Sequence, residues 1–526
     1  MIDFSKYSVC MLFSMILISC TYRLPRQPEV FKSRPSLEEG QRIAEKGAER
    51  DRVQLPADHP TSMSLSRDGA ILTALSRNRS LAVERYAPQI AATRAPESMA
   101  RFDPILLAIA SMGRSKIPID DAKDTIVTRD FSGEVRLEQY HPSGADVFLA
   151  GGLSRTRDGS SDWEYGGSWS VGVNQALLRG AGSLVNLISV VQAQNAETIS
   201  SYQLEGFIQN LVLQVELAYW NLVLARETVK IRQFSVKLAQ EQLQLNKDFI
   251  KVGKLSPDAR VSAEAELASR EADLVDALAD VKAKTIALIR LLDPRHDAQW
   301  SLVFDTGDPP VIENVQVDAE ISAQLADLYR PEIFQAYLDR FNKKLEIIRT
   351  QNGLLPKLDA FASYGRLSAG DSSSNAYDHL DDTEFDNYEL GLSFELPLGN
   401  RAAKARRQRA EIEELQAQAA IRNLEQLIEA EVRRTAVEVQ RQAQRIPATQ
   451  KVVESRQEEL RVEKTRFRVG LSTNLDVLRI ERDLIQAQLD KLTARIRYIQ
   501  SLSSLYYTEG TLLLRRGVEV EKQYKR

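Results

Sequence analysis

Few residues in this chain have the type and spacing for bond-making chemistry. The 526 residues include two cysteines, Cys10 and Cys20, both within the first twenty positions. The remainder therefore offers no disulfide framework and no thiolate metal site. The four histidines, His59, His141, His296 and His379, are widely separated and none stands at ligand spacing. No glycine-rich phosphate loop and no nucleophile with its base is present. No enzymatic activity, cofactor or bound metal is expected. One carboxylate has a defined local setting. Asp476 follows Thr473 by three residues, the spacing of a capping box, and there the acid also meets the positive end of a helix dipole.

Cys20 is the one candidate for modification. Lys6 precedes a short apolar run, Val9 to Ile18, too short to span a bilayer. The run ends in Leu17-Ile18-Ser19-Cys20, which resembles the bacterial lipobox, whose cysteine becomes the acylated first residue after cleavage. Thr21 stands where many inner-membrane lipoproteins carry aspartate. Each buried acyl methylene contributes about 0.8 kcal/mol, so several chains would anchor the N-terminus firmly. An ordinary signal region is the alternative. Residues 21–60 are rich in Pro, Arg, Gln and Glu and read as a tether.

The elements that position the remaining residues occur twice. Ala108-Ile109-Ala110-Ser111-Met112-Gly113-Arg114 returns as Ala360-Phe361-Ala362-Ser363-Tyr364-Gly365-Arg366, and Val252-Gly253-Lys254-Leu255-Ser256 is echoed by Val469-Gly470-Leu471-Ser472-Thr473. Such a unit cannot bury its own faces and implies packing around an axis. Helical stretches from Ser183 to about Lys251 and from Ala402 to about Val469 each predict a rod of roughly 100 Å. Leu211, Val215, Ala218, Leu222, Ala225 and Val229 step as a coiled-coil seam, as do Ile485, Leu489, Leu492, Ile496 and Ile499. Pro447 should kink the second rod. Gly253 and Gly470 permit chain reversal, and Ser256-Pro257 restarts a helix.

The strands alternate sharply. Tyr388, Leu390, Leu392, Phe394 and Leu396 interleave with Glu389, Gly391, Ser393 and Glu395. Trp169, Val171 and Val173 interleave with Ser168, Ser170, Gly172 and Asn174. One apolar and one small or charged face suits a membrane barrel with a wet lumen. Two hairpins supply about four strands, whose open edges cannot face lipid, so an oligomer is required. The net charge of -4 argues against a nucleic-acid partner.

From about residue 60 to 515 the chain resembles the TolC-type outer-membrane efflux proteins. The resemblance rests on the repeats, Tyr329-Arg330-Pro331-Glu332, the run Gln175–Gly182, Phe394-Glu395-Leu396-Pro397-Leu398-Gly399-Asn400-Arg401, and Val469 through Leu478. It implies an α+β fold: a duplicated unit whose homotrimer forms a 12-stranded transmembrane β-barrel and a long coiled-coil, 12-helix periplasmic barrel. The corresponding division is 1–20 lipoprotein signal region, 21–60 tether, 61–300 first repeat, 301–515 second repeat and 516–526 tail. Strands are expected at about 104–114, 165–177, 356–366 and 387–397. Long helices are expected at about 183–252, 256–292, 402–469 and 473–515. The implied role is a passive exit duct in the cell outer membrane, lipid-anchored, serving a tripartite efflux or type I secretion system. Its partners would be a periplasmic adaptor, an inner-membrane transporter and outer-membrane lipid. Gly253, Lys254, Gly470 and Leu471 would form the periplasmic tips that meet the adaptor, and Phe467, Asp476 and Arg479 would stand at a gate. Ser472 replaces an arginine of the best-known member, and Arg479 replaces a second aspartate. Ala176 stands where the family usually has proline. A lipid-anchored periplasmic adaptor and a coiled-coil scaffold are the competing readings.

Residues 115–165 exceed the matching stretch of the second repeat. Glu134 to Tyr140 and Asp146 to Ser154, around His141-Pro142-Ser143-Gly144, predict a further hairpin. An extracellular hairpin, longer wall strands or two added wall strands would each account for it.

Overall fold

A computed structural model describes residues 62–119, 124–159, 161–292, 303–306, 312, 315–381 and 386–518. Cys20 and the tether lie outside them, and the description concerns the unit Ser62–Arg526. Strand β1 (Ser62–Leu65) pairs in parallel with β6 (Val303–Thr306). Four short helices follow β1: α1 (Arg67–Arg77), α2 (Arg79–Glu84), α3 (Tyr86–Ala92) and α4 (Arg94–Met99). Asn78 both ends α1 and caps α2. Its side-chain oxygen accepts from Leu81 N–H at 2.9 Å while its amide donates to the Leu291 carbonyl at 2.8 Å.

The main sheet comprises β2 (Ile105–Ile119), β3 (Asp124–Tyr140), β4 (Ala145–Asp158), β5 (Glu164–Ala176), β7 (Lys357–Gly370) and β8 (Asp386–Glu395), in that spatial order with every neighbour antiparallel. It has six strands where about four were expected. The additional pair, β3 and β4, is the hairpin of residues 115–165, much longer than the segments that its turn residues suggested. The turn is held at its base. Gly144, at φ +90, donates to the His141 carbonyl at 2.9 Å, and Asn186 Nδ2 donates to the Pro142 carbonyl at 3.0 Å.

After β5 the chain makes a short turn of helix, α5 (Ser183–Asn186), and then α6 (Ile188–Lys251), α7 (Asp258–Leu292), α8 (Ala319–Tyr329) and α9 (Pro331–Asn352). A small helix α10 (Ser373–Asp378) lies between β7 and β8. The chain then forms α11 (Arg401–Arg468), α12 (Asn474–Thr508) and α13 (Leu512–Arg515). Helices α6 and α11 contain 64 and 68 residues, so each rises roughly 100 Å. Helix α11 passes through Pro447 without ending. Packing of its seam holds the helix through the one backbone donor that proline removes.

The core lies where the long helices meet the strap of α1 and α8. Val215, Leu222, Tyr219, Leu288, Ile496 and Leu505 are fully enclosed there. The α6 seam residues Leu211, Val215, Leu222 and Ala225 are buried, and Ile485, Ile496 and Ile499 are buried on α12. The Tyr329-Arg330-Pro331-Glu332 run also has a physical role. Pro331 opens α9 with its preset φ, and Arg330 reaches the Glu431 carboxylate at 3.2 Å and the Thr508 carbonyl at 3.3 Å. This tie holds the end of α12 against α9 and α11. Among the described residues no helix is long and apolar enough to cross a membrane.

Candidate functional site at the helical tips

Both long rods end in the same turn. Gly253 has φ +73; its N–H donates to the Ile250 carbonyl at 3.0 Å, and Lys254 N–H donates to the Phe249 carbonyl at 2.8 Å. Gly470 has φ +82; its N–H donates to the Phe467 carbonyl at 3.1 Å, and Leu471 N–H donates to the Arg466 carbonyl at 2.9 Å. This pair of crossed bonds is the Schellman closure, which needs a left-handed residue after the cap. Any residue with a Cβ is strained there, so the two glycines are required by backbone geometry.

The two turns lie together. The rings of Phe249 and Phe467 approach to 5.7 Å between centroids. Phe467 is buried with Val453, Leu460, Val477, Leu484 and Ala487 in a satellite core behind the tips. Asn474 Oδ1 accepts from Gln242 Nε2 at 3.1 Å and from Asn246 Nδ2 at 2.8 Å, and this polar group is closed off from solvent. Phe467 therefore belongs to the packing that fixes the turns.

Lys254, Leu471, Asp476 and Arg479 are solvent-exposed. Exposure of Val252 (66%), Val469 (65%), Leu471 (78%) and Leu475 (71%) leaves an apolar cap on the tip. Such a cap is costly in water unless something covers it.

Asp476 forms the capping box that its spacing predicts. Thr473 Oγ1 donates to Asp476 Oδ2 at 2.6 Å, and Thr473 N–H reaches the same oxygen at 3.3 Å. These hydrogen bonds from Thr473, assisted by the Arg479 charge, hold the carboxyl below its ordinary value of 3.8. A depressed carboxylate stabilises the fold above its unfolded pKa, and that contribution is lost as pH falls through the folded value. Asp476→Asn is expected to lower thermal stability at neutral pH by a small amount and to remove part of the acid-side loss. Melting curves at neutral pH and below pH 4 check this; an unchanged pH dependence would remove the carboxylate from the cap.

Sequence reasoning missed a buried ionic cluster about one to four turns behind the tip. Glu481, on α12, has no solvent exposure and lies 2.8 Å from Lys464 Nζ on α11 and 3.3 Å from Arg270 Nη2 on α7. Arg270 also binds Glu266 at 3.0 Å and donates to the Ser235 carbonyl of α6 at 3.2 Å. Arg482 meets the other Glu266 oxygen at 2.7 Å. Burial works to raise the Glu266 pKa, yet hydrogen bonds from Arg482 and Arg270 prevail and hold it low. The cluster joins all four long helices. Its signal was present in the sequence: Glu481 occupies a seam position between the buried Val477, Leu478, Leu484 and Ile485, where an apolar residue is the rule.

Residues 324–511 match the family model described as "Outer membrane efflux protein". A curated relative, the "Proteases secretion protein PrtF" of Dickeya chrysanthemi, is 27% identical over 310 residues, 58% of this chain and 65% of its own length. The aligned part thus spans just under two thirds of that relative. Among solved structures, the CusC channel matches 88% of this chain and 96% of its own at 17% identity, with a TM-score of 0.66. The outer membrane protein VceC of Vibrio cholerae matches 84% and 96% at 18% identity, with a TM-score of 0.62. The MtrE outer membrane channel of Neisseria gonorrhoeae matches 85% and 89% at 18% identity, with a TM-score of 0.60. These likenesses establish the fold.

Proposed function

We propose that this chain belongs to the outer membrane efflux protein family, whose model matches residues 324–511, and is a passive outer-membrane exit duct. The observation that carries the reading is a sheet with one apolar face and two unpaired edges, continuous with paired helical rods about 100 Å long. Open edges cannot face lipid, so copies of the chain close the sheet into a barrel, as a homotrimer. The rods then extend into the periplasm as a helical tunnel. Their tips, with Lys254 and Leu471 outermost, meet a periplasmic adaptor that links the duct to an energised inner-membrane transporter. Similarity to a protease secretion protein supports polypeptide cargo within this reading. Asp476 combines its capping role with a place at the tunnel entrance, where Arg479 offsets its charge.

Purified protein should migrate as a heat-resistant trimer in detergent and conduct ions in planar bilayers, with cation selectivity lower in Asp476→Asn. A monomer without conductance would overturn the duct. The same preparation tests the anchor at Cys20. A fatty-acid probe should label the wild type and leave Cys20→Ser unlabelled, while the variant still inserts through its barrel.

A further inference from the structure

We propose that β3 and β4 are full wall strands, so that three copies close an 18-stranded barrel instead of the 12-stranded one that four strands per copy would give. The inference rests on the trimeric-duct reading and adds the size of its lumen.

Four observations carry it. First, pairing is unbroken across the inserted hairpin, from Ile105↔Glu138 to Ile119↔Asp124 on one side and from Ala145↔Gln175 to Thr156↔Glu164 on the other. Second, the hairpin shares the two-faced pattern of its neighbours. One row crosses all six strands as Leu106, Leu137, Leu149, Val171, Tyr364 and Tyr388, every one exposed in the single chain. The next row, on the opposite face, reads Leu107, Arg136, Ala150, Ser170, Gly365 and Asn387. An extracellular flap would have no reason to continue the apolar row in phase. Third, β3 and β4 have 17 and 14 residues, more than the roughly 9–11 that a bilayer-spanning strand needs.

Fourth, the hairpin turn sits at the helical end of the sheet, the periplasmic end in the duct reading. Gly182 N–H donates to the Ser143 carbonyl at 2.9 Å, and Ala176 N–H donates to the Gly144 carbonyl at 3.0 Å. Proline has no N–H and could not make the second bond. Alanine at 176 thus answers a demand that exists because β3 and β4 pass through the wall.

The count also closes correctly. Six alternating strands leave β2 and β8 running in opposite directions, so β8 of one copy meets β2 of the next antiparallel, as in every other pair. With strands about 4.8 Å apart and tilted about 40°, 12 strands enclose a cylinder about 24 Å across and 18 strands one about 36 Å across. The cross-section roughly doubles, which leaves room for inner-face side chains as large as Arg136 and Phe148 beside the small Gly152, Ser168, Ser170 and Gly365. A helix with its side chains is about 10–12 Å wide, so the barrel admits polypeptide with local structure.

Single cysteines in the full chain, in native membranes, test the count with a membrane-impermeant maleimide. Ser132→Cys and Ser154→Cys face the lumen and should label. Leu137→Cys and Leu149→Cys face lipid and should lose labelling until detergent is added. Ser170→Cys and Val171→Cys on β5 report the same alternation independently of the hairpin, and each variant is first verified as a trimer. Equal labelling at all four β3 and β4 positions, with alternation intact on β5, would overturn the 18-stranded wall and leave the duct standing. Loss of alternation on β5 as well would bring down the duct reading and the inference together.

Discussion

Glu481→Ala should destabilise the helical bundle by about 3–5 kcal/mol, the cost of leaving buried charge without its partner. The carboxylate is fully enclosed, with Lys464 at 2.8 Å and Arg270 at 3.3 Å. Removing it strands a guanidinium that is itself buried, while Lys464 retains partial access to water and pays less. Glu266 stays beside Arg270 and recovers only part of the loss. In the trimeric duct proposed above, the temperature at which the detergent-solubilised trimer dissociates should fall, and the tip half of the rods should become the first site of proteolysis. The compensated variant separates charge from shape. Replacing Glu481 by Leu together with Arg270→Met and Lys464→Met should restore most of the stability, because apolar groups of similar volume remove the desolvation cost of all three ions. If Glu481→Ala leaves the dissociation temperature unchanged, the cluster is hydrated and contributes little.

The second large effect concerns transport. If the tips meet an adaptor as proposed, Leu471→Asp should reduce that binding by at least about thirtyfold, the equivalent of losing one central contact worth about 2 kcal/mol. Leu471 is mostly exposed and belongs to neither hydrophobic core, so folding and trimer assembly should be unaffected. Its backbone N–H, which closes the turn on the Arg466 carbonyl, is retained. Lys254→Glu on the other tip tests the charge at the same surface. Export measured in cells, with trimer level as the control, decides the matter. Unchanged export in both variants would place the adaptor contact elsewhere.

Periodicity and turn chemistry were legible without coordinates because they are local. The seam of α6, the glycine breaks at 253 and 470, the Thr473–Asp476 cap and the alternating strands β5 and β8 each depend on residues within a few positions of one another. The capping box formed at the residues that its spacing named. Phe467 shows the limit of that local reading. Its place at a gate came from the resemblance alone; its packing against Phe249 inside the tip core comes from tertiary contacts that no local pattern names.

Tertiary structure alone decided two things. The alternation of β3 and β4 predicts a hairpin, but only pairing with β2 and β5 puts its apolar face in phase with the rest of the sheet, because register is set by partners far along the chain. The ionic cluster likewise draws on Ser235, Glu266, Arg270, Lys464 and Glu481 from four different helices. Glu481 alone stands out, by its seam position; the other charges, each read along its own helix, are indistinguishable from solvated ones. Burial by the other three helices turns them into a single buried knot.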